Sequence, residues 1–256
     1  MSQDPNPFAP SLETLPETLP IFPLPGVLLL PGGKLPLNIF EPRYLDMVRE
    51  AMGQSRMIGM VQPATEDDAP TEDDDSSGFD VEAMAGGETV PTAERESGGE
   101  SDVGSAPVYK VGCAGRIVEF GETDDGRFLI TLRGVIRFRI RRELPLLSGY
   151  RRIVPDFNAF ADDLDASKAY FDRSRLLDAL HYYFEQQEIE ADWNAVREAS
   201  NERLVTSLAM ICPFSGAEKQ ALLEAPTPSD RAETMTTILE MAVLDATGSG
   251  AAGPRH

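Results

Sequence analysis

The chain has 256 residues, of which 41% are hydrophobic, and it carries a formal net charge of −20. This length suits one large domain or two small ones, and the apolar content is sufficient for a buried core. The negative charge repels phosphate backbones and anionic lipid, which argues against general binding of nucleic acid or membranes.

The two cysteines, Cys113 and Cys212, lie far apart in the sequence and form no CxxC motif. This pattern argues against a disulfide scaffold and a zinc site, and it is typical of buried thiols in a reducing compartment. Residues 1–11 contain neither a basic residue nor an apolar run, so no signal peptide is predicted. The run Val27–Leu30 is too short to span a bilayer, and we expect a cytoplasmic protein.

The first part of the chain combines prolines with short apolar segments. Residues 1–18 are proline-rich and are predicted to form a disordered lead. Short strands are predicted at Leu19–Phe22, Val27–Leu30 and Leu35–Phe40, because each is an apolar run bounded by proline or glycine. The Pro-Gly pairs between these segments predict turns.

A helix is predicted to begin near Glu41 and to end at Gly53. Pro42 fits its first turn, where the missing N–H has no cost. Apolar residues then recur at helical spacing, which indicates one buried face. The segment Met57–Val61 is predicted to return as a strand.

A low-complexity acidic stretch, residues 65–106, separates this unit from the rest of the chain. It holds 14 acidic residues against one arginine, so it carries 13 of the 20 net negative charges. We predict a disordered insertion there. Loop-closure entropy grows only logarithmically with length, so a stable domain tolerates such an insertion.

Beyond the insertion, the sequence predicts the remaining strands of the sheet. The turn signal Thr123-Asp-Asp-Gly126 predicts a hairpin, and Gly134 predicts a bulge in the strand that follows it. The predicted strands are Val108–Val111, Ala114–Glu122, Arg127–Arg133, Val135–Arg142 and Arg151–Pro155. About six to seven short strands with one early helix predict a small barrel or curled sheet.

From Asp165 the apolar residues recur at helical spacing, which predicts a C-terminal helical part. One helix is predicted around residues 170–184 and another at Asn201–Ile211. A capping box at Ser215 and Glu218 predicts a third helix that continues to Ala225, and a fourth is predicted at Arg231–Asp245. The predicted organisation is a β-rich subdomain at 19–160, a helical subdomain at 161–247 and a flexible tail at 248–256.

Several motifs resemble the substrate-binding N-terminal domain of the ATP-dependent Lon protease, in its stand-alone bacterial form. They are Leu19-Pro-Ile-Phe-Pro-Leu-Pro-Gly26, Pro31-Gly-Gly-Lys-Leu-Pro-Leu37, Ile39-Phe-Glu-Pro-Arg-Tyr44, Val111-Gly-Cys-Ala-Gly-Arg-Ile117, Asp125-Gly-Arg-Phe128, Gly134-Val-Ile-Arg-Phe-Arg-Ile140, Leu208-Ala-Met-Ile-Cys-Pro-Phe214 and Glu218-Lys-Gln-Ala-Leu-Leu-Glu-Ala225. The resemblance covers roughly residues 19–245.

The resemblance implies an α+β fold in which a PUA-like β-barrel precedes a C-terminal helical bundle. It also implies a domain that recognises protein substrates and supports assembly of the protease. The acidic insertion is longer than is usual for the family.

No motif for catalysis or for a cofactor is found. The nearest approach to a phosphate-binding loop is Gly32-Gly33-Lys34-Leu35, in which leucine replaces the hydroxyl residue that would bind magnesium. Lon proteolysis also requires a Ser–Lys dyad domain, and a chain of this length is too short for both domains. His181 stands alone on a predicted helix, so no metal site is expected. We predict a chain that is not an enzyme, with no catalytic residue, cofactor or metal.

A peptide-binding groove is the first candidate site. Phe40, Pro42, Arg43 and Tyr44, at the start of the predicted helix, could line a groove for an unfolded peptide. The structural alternative, which we favour, is that the apolar residues form the first turn of this helix and pack on the barrel.

The second candidate is a strip of arginines on one strand. Arg137, Arg139 and Arg141 alternate with apolar residues, so they are expected to project from one face of the strand. They could bind an acidic peptide or RNA. Alternatively, they form a solvated face with partners such as Glu119 or Glu122, which is the interpretation we favour.

The function predicted from these observations is binding of polypeptides, with unfolded or partly folded chains or a protein as the partner. One alternative is an RNA-binding module, since PUA-like barrels often bind RNA, although the net charge argues against it. Another is a scaffold or regulator that docks on a protease or another machine.

Overall fold

The computed structural model describes residues 10–64, 106–165 and 168–249. The predicted disordered insertion lies outside these ranges except for Ala106, and so do the first nine residues and the end of the tail. The described part of the predicted lead contains a short 3₁₀ helix at Leu12–Thr14.

The β-rich part contains six strands and one α helix in the described ranges. They are β1 (Leu19–Pro23), β2 (Lys34–Ile39), α1 (Pro42–Gly53), β3 (Met57–Val61), β4 (Val111–Glu122), β5 (Phe128–Leu147) and β6 (Tyr150–Asp156). The predicted early helix and the strand after it are confirmed almost to the residue. Of the predicted strand at Val108–Val111, only Val111 belongs to a strand, as the first residue of β4. Val108 makes a single isolated bridge with Pro63.

The six strands form one mixed sheet in the order β2-β5-β4-β3-β1-β6. Only β1 and β3 pair in parallel, and the other pairs are antiparallel. The long strand β5 pairs with β2 near its start and with β6 near its end. The sheet therefore curls until β6 is bonded to both β1 and β5, which is the barrel-like form that the sequence predicts.

The turn and the bulge of the central hairpin are both present as predicted. Gly126 has a φ of 81° and donates its N–H to the carbonyl of Thr123 at 2.9 Å. Glycine reaches this conformation without the steric cost that a side chain would add. Further along, Ala114 is opposite Ile136 but Gly115 is opposite Gly134, so Val135 is the extra residue of a β-bulge.

The predicted strand at Val27–Leu30 is wrong. This segment is irregular, although its three leucines are all buried. Backbone hydrogen bonds of 2.9 Å join the turn after it, at Gly32 and Gly33, to Gly134. The segment thus crosses the sheet and contributes consecutive side chains to the core, instead of pairing along a strand.

The C-terminal part contains five α helices in the described ranges, preceded by a 3₁₀ helix at Asn158–Leu164. They are α2 (Arg173–Gln186), α3 (Trp193–Glu198), α4 (Asn201–Ile211), α5 (Gly216–Glu224) and α6 (Pro228–Ser249). The predicted bounds of α4 are confirmed, and the capping box opens α5, with Ser215 N–H donating to Glu218 at 2.7 Å. The short helix α3 was not predicted, and α6 begins three residues earlier than predicted.

The sheet and the helices share one hydrophobic core. The larger buried cluster joins sheet residues such as Phe22 and Ile130 to helix residues such as Leu180, Leu208 and Leu222. A smaller cluster around Phe138 and Ile153 fills the other side of the sheet. The two predicted subdomains are therefore packed together as one unit.

The two ends of the acidic insertion are held next to each other. Ala64 N–H donates to the carbonyl of Pro107 at 2.9 Å, and Tyr109 N–H donates to that of Gln62 at 3.0 Å. The carbonyl of Ala106 also accepts a 2.8 Å hydrogen bond from Arg151. These contacts close the insertion at its base.

Replacing residues 65–105 by a six-residue Gly/Ser linker is expected to leave the fold intact. Since each halving of a loop lowers the closure cost by about 0.6 kcal/mol, the free energy of unfolding should be unchanged or higher by about 1–2 kcal/mol. Urea unfolding followed by circular dichroism measures this. A variant with residues 65–105 scrambled is the matched control, and loss of cooperative unfolding in the deletion variant alone would refute the expectation.

Candidate binding surfaces

The four residues of the predicted peptide groove do not form one exposed surface. Phe40 is 64% exposed, directly after the end of β2. Tyr44 is buried, and its ring packs on Phe22 with centroids 4.2 Å apart. Pro42 occupies the first turn of α1. Pro42 and Tyr44 therefore belong to the first turn of α1 and its packing, as in the structural alternative, and not to an exposed groove.

Arg43 and Tyr44 line a small cavity of about 160 Å³ at the base of the insertion. The Arg43 guanidinium is bound to Glu41 at 2.7 Å and lies over the Tyr44 ring, 4.6 Å from its centroid. Tyr150 also lines this cavity, and its hydroxyl donates to Glu50 at 2.5 Å. Burial is the main reason why the pKa of Tyr44 is raised. The polar side chains of this region pair with one another, Arg43 with Glu41 and Tyr150 with Glu50, which is typical of structural packing.

The arginine strip is divided by the fold. Arg139 and Arg141 are exposed, but the side chain of Arg137 is only 4% exposed. Its guanidinium forms an ion pair with Asp163 at 2.8 Å and lies over the Phe160 ring. The expectation that all three arginines share a solvated face is wrong for Arg137, because the 3₁₀ helix and the end of α5 cover that part of the strand.

Arg137 joins the sheet to the helical part. Its Nη1 donates to the carbonyls of Leu223 and Ala225, at 3.0 and 2.7 Å, and its Nη2 donates to that of Pro226 at 3.1 Å. These carbonyls lie at the C-terminal end of α5, where backbone acceptors lack helical partners and a positive charge is favourable. The residue is therefore a structural cap rather than an anion-binding group.

An apolar groove on the outer side of β2, β5 and β4 was not predicted. It has a volume of about 520 Å³ and is lined by Pro36, Leu37, Asn38, Glu119, Phe120, Gly121, Leu129, Ile130 and Thr131. Phe120 and Leu129 are 45% and 50% exposed. The sequence does contain a signal for it, because the unbroken apolar run Phe128–Ile130 places apolar side chains on both faces of a strand.

The cysteines and histidine of the described part are not arranged for catalysis. Cys113 and Cys212 are both buried. Burial raises the pKa of the Cys113 thiol and raises that of Cys212 to about 12, so neither is an activated nucleophile at neutral pH. The ring of His181 packs edge-on against Trp193, with centroids 4.7 Å apart. Within the described ranges, no group of three or more His, Cys, Asp or Glu side chains could hold a metal ion.

Among the helices that the structure describes, none combines the length and the apolar character needed to cross a membrane.

A barrel-like sheet packed on a helical bundle defines an α+β domain. The chain belongs to the family of ATP-dependent protease La (LON) substrate-binding domains, whose family model matches residues 18–241. This confirms the resemblance identified from the sequence motifs.

The comparison with curated proteins identifies full-length bacterial Lon proteases. The chain is 26% identical to Lon protease 2 of Myxococcus xanthus over 128 residues, which is 50% of this chain and 12% of that protein. It is 25% identical to Lon protease of Anaeromyxobacter dehalogenans over 156 residues, or 60% of this chain and 15% of that protein. The aligned region thus represents a small fraction of these relatives.

Solved structures show the same fold. A Lon N-terminal domain protein from Xanthomonas campestris superimposes with a TM-score of 0.53 at 21% identity, covering 86% of this chain and 97% of that chain. The N-terminal domain of Mycobacterium avium complex Lon protease gives a TM-score of 0.50 at 12% identity, covering 87% and 98%. The predicted class, a PUA-like β part followed by helices, agrees with these neighbours.

Proposed function

We propose that this chain is a non-catalytic module that binds extended segments of unfolded or partly folded polypeptides. The apolar groove on β2, β5 and β4 carries the proposal. Apolar side chains clustered at the surface are a recognised mark of an interaction site, and membership of a substrate-binding family supports a polypeptide as the ligand. A cytoplasmic location remains part of this proposal.

The groove provides apolar contact without a deep pocket. Leu129 of β5 projects into this groove, and Pro36 of β2 lines it beside Thr131. Phe120 is opposite Ile130, so its side chain lies on the other face of the hairpin, where its ring packs on Phe128 with centroids 5.0 Å apart. Phe40, exposed just beyond the end of β2, extends the apolar surface in this proposal, whereas Pro42, Arg43 and Tyr44 support α1. A shallow apolar surface of this kind suits many sequences, because apolar contacts are not directional.

Substituting both Pro36→Ser and Leu129→Ser is expected to weaken peptide binding about tenfold or more. Apolar anchors at the centre of an interface each contribute more than about 1 kcal/mol. The measurement is fluorescence anisotropy with a labelled, uncharged twelve-residue peptide in which Leu and Phe occupy one half and Asn and Gln the other.

Leu146→Ser is the matched control, because Leu146 is 53% exposed and lies at the far end of the same strand. The affinity of this control variant for the peptide should be unchanged. Equal losses in the control and in the groove variant, or failure of the wild-type chain to bind the peptide, would refute the proposed site. Preferential binding of a single-stranded RNA would favour the RNA-binding alternative, and capture of one fixed folded protein would favour the scaffold.

A further inference from the structure

Three basic side chains lie directly opposite one another on neighbouring strands. Lys34 of β2 is opposite Arg133 of β5, and Arg133 is opposite Arg116 of β4. We call these three residues the basic row. Residues directly opposite in an antiparallel sheet share a face, and like charges in such pairs are destabilising. The arrangement is unexpected in a chain whose net charge is −20.

Acidic side chains do not neutralise the basic row. Among the ion pairs of the described residues, Lys34 pairs with Glu119 at 3.9 Å, and neither Arg116 nor Arg133 takes part in any. The pair with Glu119 is weak because both side chains are about two-thirds exposed. Glu119 also accepts a 2.8 Å hydrogen bond from the Thr131 hydroxyl. The arginines are therefore available to a ligand.

The basic row borders a second groove, which lies between the Pro31–Lys34 turn and α4. This groove has a volume of about 600 Å³, and Lys34, Arg133 and Arg203 all line it. Glu202 is its acidic residue, and the Glu202 carboxylate accepts a 2.9 Å hydrogen bond from Ala169 N–H on another side. Three cations and one carboxylate thus line this groove, so its lining has a net positive charge.

The basic row and the apolar groove are parts of one continuous surface. Along β5, Leu129, Thr131 and Arg133 alternate on the same face, and Thr131 lies opposite both Pro36 and Glu119. Strands rise about 3.3 Å per residue, so Leu129 and Arg133 are about 13 Å apart along the strand. An extended peptide of about four residues spans this distance.

We infer that the basic row selects polypeptides in which an acidic cluster lies about four residues from an apolar segment. The inference rests on the proposed function and specifies the class of polypeptide. A short acidic cluster interacts mainly within the screening length of about 8 Å at physiological ionic strength. A long polyanion extends beyond that length and meets the negative charge of the rest of the chain, so the surface favours acidic peptides over nucleic acid.

The test uses the full chain and three labelled twelve-residue peptides with the same apolar half. The second half contains Asp and Glu, Asn and Gln, or Lys. At low salt the acidic peptide is expected to bind about tenfold more tightly than the amide peptide, and the Lys peptide more weakly than both. This gain should disappear at about 0.5 M salt, where exposed charges are screened.

Combining Arg116→Gln with Arg133→Gln should abolish the gain of the acidic peptide and leave binding of the amide peptide unchanged. Because the substitutions remove like-charge repulsion, they should not lower the midpoint of urea unfolding. The combination of Arg139→Gln with Arg141→Gln is the matched control. It makes the same charge change at exposed positions of β5, and the gain should persist.

Each other result has a defined meaning. If the amide peptide binds and the acidic peptide shows no gain, the inference fails and the proposed function stands. If neither peptide binds, both fail. If the control pair abolishes the gain instead, the anion site is the strip at Arg139 and Arg141. If single-stranded RNA binds more tightly than the acidic peptide through Arg116 and Arg133, the ligand is nucleic acid and the inference is overturned.

Discussion

Replacing Arg137 by alanine is expected to lower the free energy of unfolding by about 3–5 kcal/mol. The substitution leaves the Asp163 carboxylate without its bidentate partner in a site where that side chain is only 10% exposed. It also removes the donor from the carbonyls of Leu223, Ala225 and Pro226. The backbone N–H of residue 137 still donates to Asp163 at 2.9 Å, but a buried carboxylate without its cation and unpaired buried acceptors both carry a large cost.

A neighbouring cation does not substitute for Arg137. The Nε of Arg231 donates to the carbonyl of Leu222 at 2.7 Å. Burial lowers the pKa of Arg231 to about 10, so this residue remains charged at neutral pH. It has its own acceptor in the last turn of α5, and no ion pair between it and Asp163 occurs among the described residues. The Coulombic attraction between Arg231 and Asp163 therefore offsets only part of the effect of Arg137→Ala.

Urea unfolding at pH 7, followed by circular dichroism, measures the loss. Arg139→Ala is the matched control, because that side chain is exposed two residues further along the same strand, and it should change the free energy by less than about 0.5 kcal/mol. Arg137→Lys should lie between alanine and the wild type, since one ammonium group cannot replace a forked guanidinium. A loss below about 1 kcal/mol for Arg137→Ala would contradict the structural role.

Replacing Gly134 by alanine is expected to cost about 2–3 kcal/mol. A Cβ built at Gly134 overlaps the carbonyl oxygen of Leu30 and lies 2.7 Å from its carbonyl carbon. These are backbone atoms of the buried crossing segment, so they cannot rotate aside as a side chain does. Two backbone hydrogen bonds between Gly134 and the Gly32–Gly33 turn hold the chains at this close distance.

Gly121→Ala is the control for this substitution. Gly121 lies in the neighbouring strand β4, and its nearest atom to an added Cβ is the Leu129 carbonyl oxygen at 4.0 Å. This change should be neutral or slightly stabilising, because alanine loses less backbone entropy on folding than glycine. Equal unfolding midpoints for the two variants would contradict the close contact between Gly134 and the backbone of Leu30.

Local signals in the sequence were sufficient to predict a structural element wherever they specify one backbone conformation. The Thr123–Gly126 turn, the glycine at the bulge, the proline in the first turn of α1 and the capping box at Ser215 each act within a few residues. All of them are present in the structure. The family motifs also predicted the order of a β-rich part followed by helices.

Local signals were insufficient wherever the partner of a residue is distant in the sequence. The leucines at 28–30 have the pattern of a strand, but hydrogen bonds to Gly134, about a hundred residues away, direct that segment across the sheet. Arg137 has the alternation of an exposed position. Its carbonyl acceptors lie 86 to 89 residues further along the chain, and no periodicity in the strand indicates that those segments will cover it.

The sequence by itself determined most of the secondary structure, the family and the absence of a phosphate-binding loop motif, because each depends on residues close together in the chain. The tertiary structure alone decided which side chains form a surface. Lys34, Arg116 and Arg133 become neighbours only through the register of three strands. The apolar groove likewise requires β2 and the β4–β5 hairpin to meet. Strand register depends on the packing of the whole core, and this is the physical reason why neither surface could be predicted from local pattern.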